Sequence, residues 1–352
     1  MSSIDKRGRS TQHPRETQDI ERLYPAGFAR GTMLGGRHAP SLNPPLLSRD
    51  TSLPPDGQQL TIPPKYEGMF CAPGVQGTRG TCFDRSGLMR IIREYNQSYP
   101  QRRIFVPQAA TNEQLWGLIR DGLARICGDQ EWCWLDQDFL KHDPIIQRYY
   151  KPPKPVTPHK WLATSDLDHV LRQYEATYSD FTFMGTVPID FDQVIEEYKN
   201  MDLCRLSRQR SQEGGKGGRK GKKRYGFVFN LDPHDQKGSH WVSMFMNLDQ
   251  SEPFIGFFDS YGQPPPPQIE QLIDRLRQQA KDCLGIRLRY KCNTVQHQHQ
   301  GTECGVYSLY FIYQCLRGYS FEQITETIIV DDAVNRFRHF FFRPTIYYRN
   351  QD

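Results

Sequence analysis

Apolar residues recur at helical spacing in two stretches of the first half of the chain. In GTCFDRSGLMRIIREYNQ, Leu88, Ile91, Ile92 and Tyr95 fall on one face, and Asp84 stands where a cap would. In TNEQLWGLIRDGLARIC the stripe is Leu115, Leu118, Ile119, Leu123 and Ile126, preceded by the capping-box pair Thr111 and Gln114. Residues 61–150 therefore read as a mostly helical N-terminal region. KPPKPVTPHK, 151–160, reads as an extended proline linker. Beyond it Ser165 or Asp166 opens a helix that turns Leu167, Val170, Leu171 and Tyr174 inward.

After residue 224 the pattern changes. YGFVFNL, HWVSMFMNL and PFIGFFDSY are short, aromatic or β-branched runs between turn residues, and predict strands. PPPPQIEQLIDRLRQQAKDCL starts as a rigid proline run. It continues as a helix with Ile269, Leu272, Ile273, Leu276, Ala280 and Cys283 on one face. IRLRYKC is a further strand, the segment behind Cys304 a helix, and DDAVNRFRHFFFR the last helix. Strands mixed with helices over 161–345 predict an α+β domain. Residues 1–60, rich in Pro, Ser, Arg and Gln without any period, read as a disordered tail.

Composition and charge change this picture in two places. Only 37% of residues are hydrophobic, with 25 Pro and 28 Gly, which fits long loops or tails around an ordinary core. The net charge of +5 is concentrated: residues 205–224 hold nine Lys or Arg against one Glu, while the rest carries 36 basic and 39 acidic residues. This Gly-rich insertion could touch nucleic acid or a capsid surface through salt-dependent attraction. No aromatic stands between 206 and 224, which argues against base stacking and favours a solvated insertion. No apolar run approaches the roughly 20 residues of a membrane span, and the N-terminus lacks the apolar centre of a secretory leader. The setting therefore reads as intracellular and the nine cysteines as thiols. None forms a CxxC pair, so neither metal nor cofactor is expected.

The chemistry gathers in HQHQGTECGVYSLYF. Cys304 stands where a polar turn meets an apolar helix. Unpaired N–H groups and the helix dipole there favour a thiolate, the nucleophilic form. Gly305 leaves room for another chain to approach closely. A base comes from GSHWVSMFMNL, where His240 opens a strand after a Gly-Ser turn, and the next strand runs out at Asp259. A hairpin centred near 249–250 sets position 240 opposite 259, with Cβ atoms about 5 Å apart. Asp259 would then hold the imidazole while His240 takes the thiol proton. For the oxyanion, the Cys304 N–H is one donor; Gln296, Gln298 and Gln300 compete to supply a side-chain amide.

Taken together, H-W … D-S … Q-x(5)-C-G resembles the ubiquitin-like-protein (SUMO) protease superfamily, the adenain-type cysteine peptidases. WLATSDLDHVL resembles the helix that opens their catalytic domain. HWVSMFMNLD, the proline run, HQHQGTECGVYSLYFI and RFRHFFFR are similar to the polyprotein proteases of African swine fever virus and other large DNA viruses. The resemblance spans roughly 160–345, more weakly the helical N-terminal region. It implies a papain-like domain with a central mixed sheet and flanking helices. It implies His240 as general base, Asp259 as the orienting group, Cys304 as nucleophile, Gln298 as oxyanion donor and Trp241 as a wall of the substrate cleft. The swine fever branch carries Asn where this chain has Asp259, a departure toward the wider family. The implied substrate is a polyprotein with Gly-Gly-X sites, cut during particle maturation in host cytoplasm or virion. The alternatives are deubiquitination or deSUMOylation, and a non-catalytic binding module. MLGGR at 33–37 and EGGKGGRK at 213–220 are Gly-Gly sites within the chain itself.

Overall fold

The computed structural model describes residues 70–75, 80–155, 161–207, 221–249 and 251–345, which belong to one compact unit. The expected tail at 1–60, most of the basic insertion and both internal Gly-Gly segments lie outside the described residues. The centre is a five-stranded mixed sheet of β1 (Phe181–Pro188), β2 (Arg224–Asn230), β3 (Trp241–Asn247), β4 (Phe254–Phe258) and β5 (Arg289–Cys292), in that spatial order. The β2–β3 and β3–β4 pairs are antiparallel, while β1 on β2 and β5 on β4 are parallel.

Alternation along the strands divides the core in two. From β3, Val242, Met244 and Met246 face one side, onto Ile269, Leu272, Ile273 and Leu276 of a helix at Pro267–Leu284. Trp241 and Phe245 face the other side. That second face is covered by helices at Thr164–Thr177, Cys304–Arg317 and Asp331–Phe341. With the N-terminal helices Arg85–Ser98 and Asn112–Cys127, these are α1 to α6 in chain order: α1 Arg85–Ser98, α2 Asn112–Cys127, α3 Thr164–Thr177, α4 Pro267–Leu284, α5 Cys304–Arg317 and α6 Asp331–Phe341. The result is α+β, a sheet between helical layers. Helix α5 is buried on every side from Cys304 to Leu316, because it runs inside this layer rather than over it. Each fully buried Leu or Ile contributes about 1.5–3 kcal/mol, so this helix is held by packing, not propensity.

Local readings of the sequence recur in the fold. Asp84 caps α1 by accepting the Gly87 N–H, and Thr111 and Gln114 form the capping box of α2. Helix α3 buries Leu167, Val170, Leu171 and Tyr174 as expected, but its cap residue is Ala163, whose N–H is taken by Asp166. In α2, Ile126 is solvent-facing and Cys127 takes the inward place. Strand β1 had no counterpart in the sequence reading. It lies at the sheet edge, is broken by a bulge between Phe183 and Thr186 and ends on Pro188, so its period is interrupted.

The cysteine expectation needs correction. Six of the nine are paired: Cys71–Cys82, Cys127–Cys133 and Cys204–Cys283, with Cα separations of 5.3, 5.5 and 5.8 Å. Cys292, Cys304 and Cys315 are free thiols. A compartment argument cannot see such pairs, since folding brings 204 and 283 together across 79 residues.

The N-terminal helices surround their own core, organised by Glu131. Its carboxylate accepts from the Thr81 hydroxyl, the Cys82 N–H, the Trp116 indole and the Tyr150 hydroxyl. The linker is not a free spacer where it is described. Lys154 N–H donates to the Arg343 carbonyl, and Arg343 N–H to the Pro152 carbonyl, both at 2.9 Å. The buried Arg343 guanidinium then pairs with Asp136 at 2.7 Å, which locks the two regions together.

Candidate active site

The β2–β3 turn delivers His240. Gly238 has φ +87°, and a Cβ there would stand 2.6 Å from the Asn230 amide, so the Gly-Ser turn is sterically required. His240 sits one residue before β3, its carbonyl accepting the Leu231 N–H at 2.9 Å. Its Nε2 lies 2.6 Å from Oδ1 of Asp259, and both side chains are buried.

The pairing arises by a different register from the one expected. Ser243 opposes Phe258 and Asn247 opposes Phe254, so the register continues to place Tyr261, not Asp259, opposite His240. The hairpin centre is one residue further along than the loop composition suggested. Asp259, two residues away on the same face, reaches the imidazole diagonally. Tyr261 fills the directly opposed place: its ring stacks on His240 with centroids 4.8 Å apart.

Asp259 is anchored on all sides. Its carboxylate also accepts the N–H groups of Tyr261 and Gln263, at 3.0 and 3.2 Å. The side chain of Asn293, just after β5, accepts the Asp259 N–H and donates to its carbonyl. The other hydrogen-bonding face of His240 meets the Cys304 thiol. Burial disfavours the imidazolium, but its hydrogen bonds to Asp259 and Cys304 and their negative charges outweigh it, raising the pKa of His240 to about 9.

Cys304 is the first residue of α5, 1% exposed, and its N–H has no partner among the described residues. Gly305 is needed for close approach: a Cβ there would come within 3.0 Å of Leu162 and 3.3 Å of Trp241. Trp241 is itself buried and donates its indole N–H to the Leu162 carbonyl at 2.8 Å, forming a wall behind the start of α5.

Burial separates the three glutamines. Gln296 and Gln300 are exposed, whereas Gln298 is fully enclosed. Its Oε1 accepts the Ser260 hydroxyl at 2.7 Å, and Nε2 donates to the Gln300 carbonyl at 2.7 Å, leaving one amide hydrogen unused by these contacts. The loop is pinned by Asp331, which accepts the N–H groups of His299 and Gln300. His297 is fully buried between Phe258 and Tyr307, and burial lowers its pKa. With Nε2 on the Thr325 carbonyl and Nδ1 on the Ile329 N–H, it is a packing residue. Tyr261, Ser260 and Asn293 escaped the sequence reading. The hairpin register, if known, would have found Tyr261; no local pattern marks Asn293.

Among the described residues no group of His, Cys, Asp or Glu is arranged to hold a metal ion, and no helix is long and apolar enough to cross a membrane. Comparison with known proteins agrees with this geometry. Residues 229–346 match the family described as Ulp1 protease family, C-terminal catalytic domain. A thiol protease of Acanthamoeba polyphaga mimivirus is 29% identical over 282 residues, 75% of this chain and 89% of that protein. A SUMO-1 cysteine protease of African swine fever virus is 25% identical over 200 residues, 56% of this chain and 73% of that one. The fold is similar to the crystal structure of an African swine fever virus protease, with TM-score 0.55 and 20% identity over 78% of this chain and 96% of that one. Residues 229–346 thus carry a match to the Ulp1 protease family, and the protein is a cysteine peptidase.

Proposed function

We propose that the protein is an endopeptidase that cuts viral polyprotein precursors after Gly-Gly, with Cys304 as nucleophile, His240 as acid–base and Asp259 as its orienting carboxylate. The observation that carries this reading is the buried His240, held by Asp259 at Nε2 and hydrogen-bonded to Cys304 on its other face. Because Nε2 is engaged, Nδ1 is the nitrogen that serves the thiol. The Cys304 thiolate attacks the scissile carbonyl, and the oxyanion is met by the Cys304 N–H and the spare hydrogen of Gln298. The imidazolium then protonates the leaving amine, and water, deprotonated by His240, releases the acyl group. Trp241 backs the nucleophile and keeps the cleft narrow, which favours residues without a Cβ on the acyl side.

The catalytic unit is 161–345, docked on the helical region 61–150. We place the activity in host-cell cytoplasm and the maturing particle, because the relatives found are viral proteins. A weak contact of 205–224 with nucleic acid or capsid would show as salt-sensitive affinity lost on its deletion; affinity unchanged by deletion excludes it. A second reading, deconjugation of SUMO or ubiquitin, is favoured by the swine fever relative's description as a SUMO-1 cysteine protease. Matched peptides with Gly-Gly-X and Ala-Ala-X cores, alongside SUMO and ubiquitin conjugates, separate them. Cleavage of Gly-Gly-X peptides alone is expected. Processing of conjugates without cleavage of any peptide would transfer the assignment to the second reading.

A further inference from the structure

A buried ionic network lies directly behind Cys304, and the steps above make no use of it. Glu303 precedes Cys304 and is the N-cap residue of α5, yet its side chain does not cap the helix. Its carboxylate instead accepts the Thr302 N–H and hydroxyl, both at 2.8 Å, and the Asn335 amide at 3.1 Å. It is 1% exposed. Burial favours its neutral form, but the Asn335 and Thr302 hydrogen bonds and the charge of Arg338 prevail and hold its pKa below the usual carboxylate value. Glu303 is therefore an anion at neutral pH, one residue from the thiol. A like charge this close opposes formation of a thiolate. The dipole of α5 helps the thiolate, but it amounts to only about half a charge.

The counter-charge comes from α6. Arg338 is 4% exposed and donates Nη2 to the Thr302 carbonyl at 3.0 Å and Nε to Asn335 Oδ1 at 2.9 Å. Asn335, one turn earlier on the same face, bonds Glu303 through its amide and Arg338 through its carbonyl oxygen, so the three act as a unit. The guanidinium feels the charges of Glu303, Cys304 and Asp166. From the remaining elements the thiol faces His240 at the start of β3 and Tyr261 beyond β4, with Asp259 behind the imidazole and Asp331 at the start of α6.

We propose that Arg338 is a positioning residue that supports the nucleophilic form of Cys304 by offsetting the buried charge of Glu303. The inference rests on the assignment of Cys304 as nucleophile. Removing Arg338 leaves Glu303 uncompensated beside the thiol; removing Glu303 as well takes away the reason for the compensation. Lysine keeps the charge but not the forked donor, and methionine keeps neither.

The test is the pH dependence of iodoacetamide alkylation of Cys304 in the full chain, read by mass spectrometry of the peptide that contains it. Wild type, R338M, R338K, E303Q and the double variant E303Q/R338M are compared, each checked by circular dichroism and thermal unfolding. R338M is expected to raise the alkylation midpoint by about one pH unit, a roughly tenfold slower reaction at pH 6.5. R338K and E303Q/R338M are expected to stay near wild type. If R338M fails to fold, E303Q alone decides: its midpoint is expected to fall by a few tenths, and an unchanged or higher one overturns the proposal. A folded R338M with the wild-type midpoint also overturns it, as does a double variant that remains shifted. A wild-type midpoint at the ordinary thiol value removes the nucleophile assignment and this proposal with it.

Discussion

Replacing Asp259 by alanine tests the electrostatics of the proposed catalytic pair. In the intact site the imidazole and carboxylate are 2.6 Å apart and almost sealed from water, and His240 has a pKa of about 9. At pH 8 about nine-tenths of the imidazole is then protonated. Without Asp259 its hydrogen bond and charge vanish while the desolvation cost stays and only Cys304 still favours the imidazolium, so the pKa falls. A fall of about one to two units would cut the protonated fraction at pH 8 from about nine-tenths to between a half and a tenth, a loss of roughly 2- to 10-fold from protonation alone. Misorientation of the ring adds to this, for a total of about 10³-fold or more. The assay is kcat/KM against pH on a Gly-Gly-X peptide, for wild type and Asp259→Ala. The alkaline limb should lie near pH 9 in wild type and move down by about one to two units in the variant. The same pair contributes to stability. The folded value lies above the unfolded one, near 6.5, so the contribution is whole below pH 6.5 and lost as pH rises through about 9. It is on the order of 3 kcal/mol, and Asp259→Ala should flatten that fall in urea unfolding. An alkaline limb that stays at pH 9 in the variant would refute the reasoning.

Gln298→Ala should lower kcat about 10²-fold with little change in KM if, as proposed, its amide acts on the developing oxyanion; an equal rise in KM with constant kcat would assign it to substrate binding. Alkylation in denaturant should modify three thiols without reductant and nine after reduction, counted by intact mass; nine in both would remove the disulfides. Opening Cys204–Cys283 with a C204S/C283S double variant should cost about 4 kcal/mol in urea unfolding, because the bridge closes a long loop, while leaving peptide cleavage intact. Arg343→Ala should destabilise by about 3 kcal/mol, since it strands the partly buried Asp136; a change under 0.5 kcal/mol would mean that the contact between the N-terminal region and the catalytic domain is loose.

Much of this architecture was legible because it is local. The caps at Asp84 and Thr111, the inward stripe of α3 and the strands around His240 follow from spacing within a single element. The candidate site was legible in its members but not in its register. Loop composition put the hairpin centre one residue early; Asp259 still meets His240 because same-face neighbours on adjacent strands are within reach of a long side chain. Tyr261, which the true register places opposite, was therefore missed. Three kinds of feature left no mark in the pattern. Strand β1 lost its alternation to a bulge at the sheet edge. The Cys204–Cys283 bridge depends on a contact across 79 residues. The Glu303–Asn335–Arg338 network joins a loop to a helix some thirty residues away, and only the fold brings it beneath Cys304.

The most direct measurement is cleavage of a Gly-Gly-X peptide by wild type, Cys304→Ser and His240→Ala, with all three shown to be folded and the products identified by mass. Cleavage after Gly-Gly by wild type alone, with both variants reduced at least 10³-fold, is the predicted result. Activity retained in either variant would contradict the assignment of Cys304 as a nucleophile served by His240.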